Sequence, residues 1–309
     1  MKSSNQDKKN SKLFGYNENF KNFITLYDKN CFPKVSMLTG KKGYGKSSFI
    51  KHFLTSIFDK DNYSFADLTI NTNTKFYNLF CENLIENIIY LKGDSQESVK
   101  IDTVRKLKTV ILKTTISNKP RFIIVDDVEL LNLNSLNALL KILEEPAKNN
   151  YFILINNKTK VLIETIKSRC IETRFFFENN IRISIIESLI QRYQITSNLD
   201  YKNIHLSPGN FLIFNQLCFE NNIDLNTDHI LNIDKLLKLY KKTKNNSIIN
   251  LVKLIIELSF YNNSIKDKQN LNMIDLKKID ILRDINDYVT FNMNHNNLIN
   301  SISQKIICE

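Results

Sequence analysis

Glycine and proline are scarce, with six and four in 309 residues. A chain this poor in turn formers keeps glycine where the backbone needs it, and Gly40, Gly43 and Gly45 fall within one octapeptide. The five cysteines, Cys31, Cys81, Cys170, Cys218 and Cys308, are odd in number and never spaced as C-x-x-C. That spacing gives no disulfide framework and no zinc cluster. No apolar run approaches the roughly 20 residues that a bilayer demands, and the opening MKSSNQDKKNSK lacks the apolar stretch of a secretory signal. The expectation is a cytoplasmic chain that meets no membrane. Hydrophobic residues at 42% and charged residues at 24% exclude a disordered chain, and the length allows two or three domains. Acidic residues are outnumbered, for a net charge of +11. Such an excess favours an anionic partner, nucleic acid first, although a Lys- and Asn-rich coding bias would produce it with no partner at all.

The stretch from Arg121 to Pro146, RFIIVDDVELLNLNSLNALLKILEEP, organises the rest. Phe122 to Val125 is continuously apolar and stops at Asp126 and Asp127, which reads as a strand buried on both faces of a parallel sheet. Acids at the carboxyl end of such a strand stand where ligands bind in open α/β sheets. Leu136, Leu139, Leu140 and Leu143 recur at helical spacing, so a helix packs back on the sheet before Pro146.

Upstream, Lys34 to Leu38 reads as a strand leading into Gly40-Lys-Lys-Gly-Tyr-Gly-Lys-Ser47, which satisfies G-x-x-x-x-G-K-[ST]. Phe49, Ile50, Phe53, Leu54, Ile57 and Phe58 follow at helical spacing, so the motif has the strand and helix it requires. Glycines let backbone N–H groups close around phosphate oxygens, and the helix amino terminus adds partial positive charge. Lys46 would reach the β- and γ-phosphates and the Ser47 hydroxyl would ligate Mg²⁺, with Asp126 as its partner, directly or through water. A triphosphate such as ATP with Mg²⁺ is the cofactor expected. Asp127 stands where a hydrolysing enzyme of this kind has Glu to orient water. One methylene less moves the carboxylate by about 1 Å, a misplacement that can cost on the order of a hundredfold in rate.

Tyr151 to Ile155 is a further strand ending in Asn156 and Asn157, which either bond a γ-phosphate or a water, or simply close a polar turn. Arg169, in Lys167-Ser-Arg-Cys170, is either a surface ion-pair partner or a finger reaching a neighbouring subunit's nucleotide. Leu13 to Asp28 and Val99 to Leu112 carry helical faces, the latter basic, with Lys100, Arg105, Lys106 and Lys108. Tyr63 to Asp94 mixes strand-like and helix-like pieces. Ile181 to Tyr193 is amphipathic, with Ile185, Ile186, Leu189 and Ile190 facing inward, and Ser207-Pro-Gly-Asn210 breaks the chain before a helix at Phe211 to Phe219. From about Asp224 onward the pattern is helical, as in Ile248 to Phe260 and Ile279 to Val289, without a chemical motif. His52, His205, His229 and His295 have no companions at ligand spacing.

Asp126-Asp127, Ser135-Leu-Asn-Ala-Leu-Leu-Lys-Ile-Leu-Glu-Glu-Pro146 and Ser168-Arg-Cys170 together resemble the bacterial clamp-loader subunits of DNA polymerase III. The resemblance covers about residues 13 to 215. It implies an α/β AAA+ P-loop module with a parallel sheet at 13–178 behind a flexible tail at 1–12, a small helical lid at 179–222, and an all-α collar at 223–309. It implies gamma or tau and delta subunits as partners in a five-membered ring that opens the sliding clamp and places it on primed DNA. Leu212 occupies the position where motor subunits carry a γ-phosphate-contacting Arg, Asp127 replaces Glu, and an Asn pair replaces the usual Thr pair. The family's zinc-binding cysteines are missing, so no zinc is carried over. These departures look like the delta-prime type, a stator supplying Arg169 as a finger in trans with weak or absent turnover of its own. The intact Gly40 to Ser47 loop argues for retained ATP·Mg²⁺ binding, and for an alternative, an ATP-hydrolysing motor of gamma or tau type. A third reading, direct DNA binding through the basic helix, finds no aromatic-basic platform to support it.

Overall fold

The structure, a computed structural model, describes residues 12–93, 119–197, 199–225, 227–266, 271–291 and 293–307. The amino-terminal tail and the expected basic helix with Lys100, Arg105, Lys106 and Lys108 lie outside the described residues. The chain divides into two compact units, Met1–Ile195 with His205–Gly209, and Thr196–Ile204 with Asn210–Glu309. No helix among the described residues is long and apolar enough to cross a membrane.

In the first unit, α1 (Asn17–Asp28) precedes β1 (Val35–Thr39) and α2 (Lys46–Phe58). The unplaced stretch after it resolves into a hairpin of β2 (Tyr63–Ser64) and β3 (Thr69–Ile70), then α3 (Lys75–Cys81) and β4 (Ile88–Lys92). Next come β5 (Arg121–Asp126), α4 (Leu133–Glu144), β6 (Asn150–Asn156), α5 (Glu164–Lys167), β7 (Ile171–Arg174) and α6 (Asn179–Tyr193). Among the described residues the main sheet has five strands in the order β4-β5-β6-β1-β7, all pairs parallel. The middle place thus belongs to β6, with the Asp126 strand beside it.

The buried run of β5 serves two cores because successive side chains leave a strand on opposite faces. Ile123 and Val125 join Met37, Phe152, Leu154, Leu136, Leu139 and Leu143 in one apolar cluster, so α4 lies against that face. Phe122 points the other way, into an aromatic layer with Tyr27, Phe53, Phe58 and Tyr151 at centroid distances of 5.3–6.1 Å. The α1 and α2 aromatics Phe20, Phe23 and Phe49 extend that layer edge-to-face, the arrangement that ring quadrupoles favour.

α6 buries Ile185, Ile186 and Leu189 as its periodicity requires, and Arg182 as well, at 0% exposure. The guanidinium is satisfied locally: Nε and Nη2 donate to Asn179 Oδ1 at 3.1 and 2.8 Å, and Nη1 donates to Leu206 O at 3.0 Å. The break expected at Ser207-Pro-Gly-Asn210 is instead the first turn of α7 (Pro208–Glu220). Proline at the first helical position removes an N–H that has no helical partner and presets φ, so it starts this helix instead of stopping one.

The second unit is helical through α8 (His229–Thr243), α9 (Asn246–Lys266), α10 (Leu271–Phe291) and α11 (His295–Ile307). α8 packs on α9 and α11, and α10 on α9 and α11. Ile233, Leu236, Leu251, Val252, Ile255, Ile281, Ile285 and Ile302 are each fully buried in its core. Asp228 caps α8 by accepting from Ile230 N and Leu231 N. α11 is tied down at both ends: His295 Nε2 lies 2.7 Å from Asp234 Oδ1, and Lys305 Nζ lies 2.8 Å from Asp284 Oδ2.

Because Phe122 joins the sheet to both α1 and α2, Phe122→Ala should lower stability by about 3–5 kcal/mol. Phe176→Ala, at a residue 66% exposed, should change it by less than about 0.5 kcal/mol. Urea denaturation followed by far-ultraviolet dichroism measures both.

Candidate functional site

Parallel strands in this register bring the carboxyl ends of β1, β5 and β6 to one edge, with Thr39 opposite Asn156 and Val125 opposite Leu154. The octapeptide leaves β1 there and enters α2. Gly43 and Gly45 have φ of +85° and +81°, a left-handed backbone that side chains disfavour. Successive N–H groups in such a conformation converge into an anion-binding concavity. The first N–H groups of α2 have no intrahelical partner and face the same end of the helix.

Lys46 is 3% exposed, yet its ammonium is bonded: Nζ donates to Lys41 O at 2.9 Å and to Gly40 O. Burial pulls its pKa down to about 8, while the nearby Asp126, Glu129 and Asp127 carboxylates push it back up. Ser47, in the first turn of α2, is exposed.

Asp126 and Asp127 are both buried. Asp126 Oδ1 accepts from Asp127 N at 2.9 Å and from Asn157 Nδ2 at 3.3 Å, and Oδ2 accepts from the Tyr90 hydroxyl of β4. With donors on both oxygens, this carboxylate fits the water shell of a metal ion better than a direct metal bond, a mode that suits Mg²⁺, which keeps several waters. Asp127 sits at φ +53°, uncommon for a non-glycine residue, and its Oδ1 accepts from Asn157 Nδ2 at 2.6 Å. The Asp127 carboxylate is thus already engaged inside the chain.

The two asparagines divide the alternatives between them. Asn156 Oδ1 accepts from Lys158 N at 2.9 Å and closes a turn, whereas the Asn157 amide joins the two carboxylates. The glycine loop, Lys46, Ser47, Asp126, Asp127 and Asn157 thus belong to one edge of the sheet. Arg169 follows α5 in sequence. Its Nη2 lies 2.6 Å from Glu144 Oε1, Nη1 donates to Thr165 O at 2.9 Å, and the ion pair is partly exposed.

Sequence reasoning missed Glu129. It is 5% exposed, and its Oε1 accepts from Asn157 N at 3.0 Å, Thr159 N at 3.2 Å and Thr159 Oγ1 at 2.8 Å. This one carboxylate fixes the loop that carries Asn157. Its only sequence signal was an acid two residues beyond Asp127 in an otherwise apolar stretch. Tyr90 was missed as well, because its strand carries no motif.

A family model described as "DNA polymerase III, delta subunit" matches residues 15–189, more than half of the chain. The DNA polymerase III subunit delta' of Pseudomonas aeruginosa is 33% identical over 79 residues, 26% of this chain and 24% of that protein. The subunit delta' of Buchnera aphidicola subsp. Schizaphis graminum is 27% identical over 154 residues, 49% of this chain and 45% of that protein. The matches thus span between 24% and 45% of the length of these two relatives. Among solved structures, a DNA polymerase III gamma subunit-related protein from Thermotoga maritima aligns over 93% of this chain and 97% of that one, with 16% identity and a TM-score of 0.46.

Removing the Glu129 carboxylate would strand two backbone donors and a hydroxyl. Glu129→Ala should therefore cost about 2–3 kcal/mol, from charge-assisted bonds lost and donors left unsatisfied, whereas Glu129→Gln, which keeps an acceptor oxygen, should cost less. Urea denaturation separates the two.

Proposed function

The chain belongs to the clamp-loader family of DNA polymerase III, and on that footing we propose that it is a delta-prime-type subunit. In this reading it binds ATP·Mg²⁺ at the Gly40–Ser47 loop without turning it over usefully, and it supplies Arg169 to the nucleotide of a neighbouring ATPase subunit. Its partners are gamma or tau and delta subunits in a five-membered ring, and the ring acts on the sliding clamp and primed DNA.

The observation that carries the stator reading is the state of Asp127. Its carboxylate is one methylene short of the usual Glu, is held in a left-handed turn, and accepts from the Asn157 amide at 2.6 Å. Turning that oxygen onto a water would break the bond and leave the amide only its longer contact, 3.3 Å, to Asp126 Oδ1. Arg169 supports the second half of the proposal. Its partner Glu144 forms a partly exposed pair, and such pairs contribute only about 0–1 kcal/mol. Redirecting the guanidinium onto a neighbour's phosphate would therefore sacrifice little, and the transition-state charge it stabilises there is worth several powers of ten in rate. The buried, bonded Lys46 favours a second reading, a motor of gamma or tau type.

ATP turnover by a reconstituted clamp loader, with clamp and primed DNA, separates the readings. Arg169→Ala in this chain should slow turnover about tenfold or more while the complex still assembles, and Lys46→Ala should change it little. A damaging Lys46→Ala with a silent Arg169→Ala would instead make the motor reading correct.

Lys46 also sets a pH dependence. Its pKa near 8 means that the ammonium which attracts phosphate is present below that pH and lost above it. ATP affinity of the isolated chain should be flat up to about pH 8 and then fall by up to tenfold per unit, a slope that Lys46→Arg should remove because Arg stays protonated. Isothermal titration across pH 6.5 to 9.5 checks it.

A further inference from the structure

Ser207 and Gly209 touch the phosphate loop from its carbonyl side. Ser207 Oγ donates to Lys42 O at 2.9 Å, and Gly209 N donates to Gly43 O at 2.9 Å. The approach is so close that a Cβ on Gly209 would lie 2.8 Å from Gly43 Cα and 2.9 Å from Gly43 O. One residue earlier, Leu206 O accepts from the buried Arg182 Nη1 at 3.0 Å, so the segment is also fastened to α6. All of these residues belong to the first unit.

The carbonyl and N–H of a trans peptide point in opposite directions. The Lys42 carbonyl shares its peptide plane with the Gly43 N–H, and the Gly43 carbonyl shares its plane with the Tyr44 N–H. Turning both carbonyls onto residues 207 and 209 therefore turns both N–H groups away from them. Gly43 and Gly45 have left-handed φ, and a loop so rich in glycine has much backbone freedom to lose when it closes on an anion. Bonds that fix those peptide planes beforehand reduce that loss, as preorganisation does in binding generally.

We propose that Leu206–Gly209 is a strap that aims the phosphate loop's N–H groups, with Ser207 as a positioning residue for the polyphosphate of the bound nucleotide. The inference rests on the nucleotide-binding reading above and adds a determinant outside the octapeptide. Ser207 touches no phosphate in this role; it acts through the Lys42 peptide.

The test is isothermal titration of the full chain with ATP·Mg²⁺ and, separately, with inorganic pyrophosphate. Loss of one neutral hydrogen bond corresponds to about fivefold in affinity. Ser207→Ala should weaken both ligands by about that factor, with an unliganded melting temperature close to wild type, and Ser207→Thr, which keeps the hydroxyl, should restore both. Gly209→Ala provides an independent variant, because its methyl pushes the strap off Gly43, and it too should weaken both ligands. Wild-type affinity in Ser207→Ala would overturn the strap. So would a loss confined to ATP, because contacts to base or sugar would then be at stake. A wild-type chain that binds neither ligand overturns the nucleotide reading itself, and the strap role falls with it.

Discussion

The Lys46 ammonium has only 3% of its residue in contact with solvent, and the first unit is arranged around the cost of holding a charge there. An isolated cation in such a place loses far more hydration than a protein can spare. Here two loop carbonyls accept from it, and the Asp126, Glu129 and Asp127 carboxylates lie near enough to offset part of its desolvation. Those carboxylates need donors in turn. Tyr90, the Asp127 amide, the Asn157 amide and the 157–159 loop provide them. The result is a network in which each polar group is tolerable because of the next, and few members can be removed singly.

Sheet order makes this network possible. With β6 between β5 and β1, the strand bearing Asp126 and the strand leading into the glycine loop both adjoin the strand that ends in Asn156. Parallel direction puts all three carboxyl ends on one edge, where such sheets bind ligands. The two apolar layers, leucines of α4 on one face and aromatics of α1 and α2 on the other, hold the strands in that register. In a chain with four prolines and six glycines, the left-handed positions of the loop are given to glycine, at Gly43 and Gly45.

The departures from a hydrolytic pattern have a common physical sense. Asp127 and Asn157 bond to each other at 2.6 Å, so the shorter acid and the amide satisfy one another within the chain. A Glu and a Thr in those places would have different reach and different donors. The two side chains are therefore a matched pair that stabilises the edge of the sheet, which is the feature the proposed stator role rests on. Arg169 stands apart from this network, in a solvent-facing pair with Glu144.

Much was legible beforehand because it depends on local order. The apolar runs of β1, β5 and β6, the helical spacing of α2, α4 and α6, and the octapeptide each carry their own signal over a few residues. Hydrophobic periodicity and left-handed glycines need no knowledge of distant partners. The pairing of Asp126, Asp127 and Asn157 at one edge followed from strand order, which was inferred only in part. Glu129, Tyr90 and Arg182 could not be found this way. A carboxylate, a phenol and a guanidinium are ordinary surface groups in a sequence, and only tertiary structure decides that Glu129 and Arg182 are buried and what all three bond. The contact between Ser207-Pro-Gly209 and the phosphate loop spans 165 residues. In the sequence those residues signalled a break, and in the fold they start a helix against the loop, because proline's meaning depends on whether a helix follows it. The sequence by itself determined β1, β5 and β6, the helices of clear apolar spacing and the phosphate loop; the long-range packing decided which polar groups close around it, since burial is a property of the assembled core and not of any one segment.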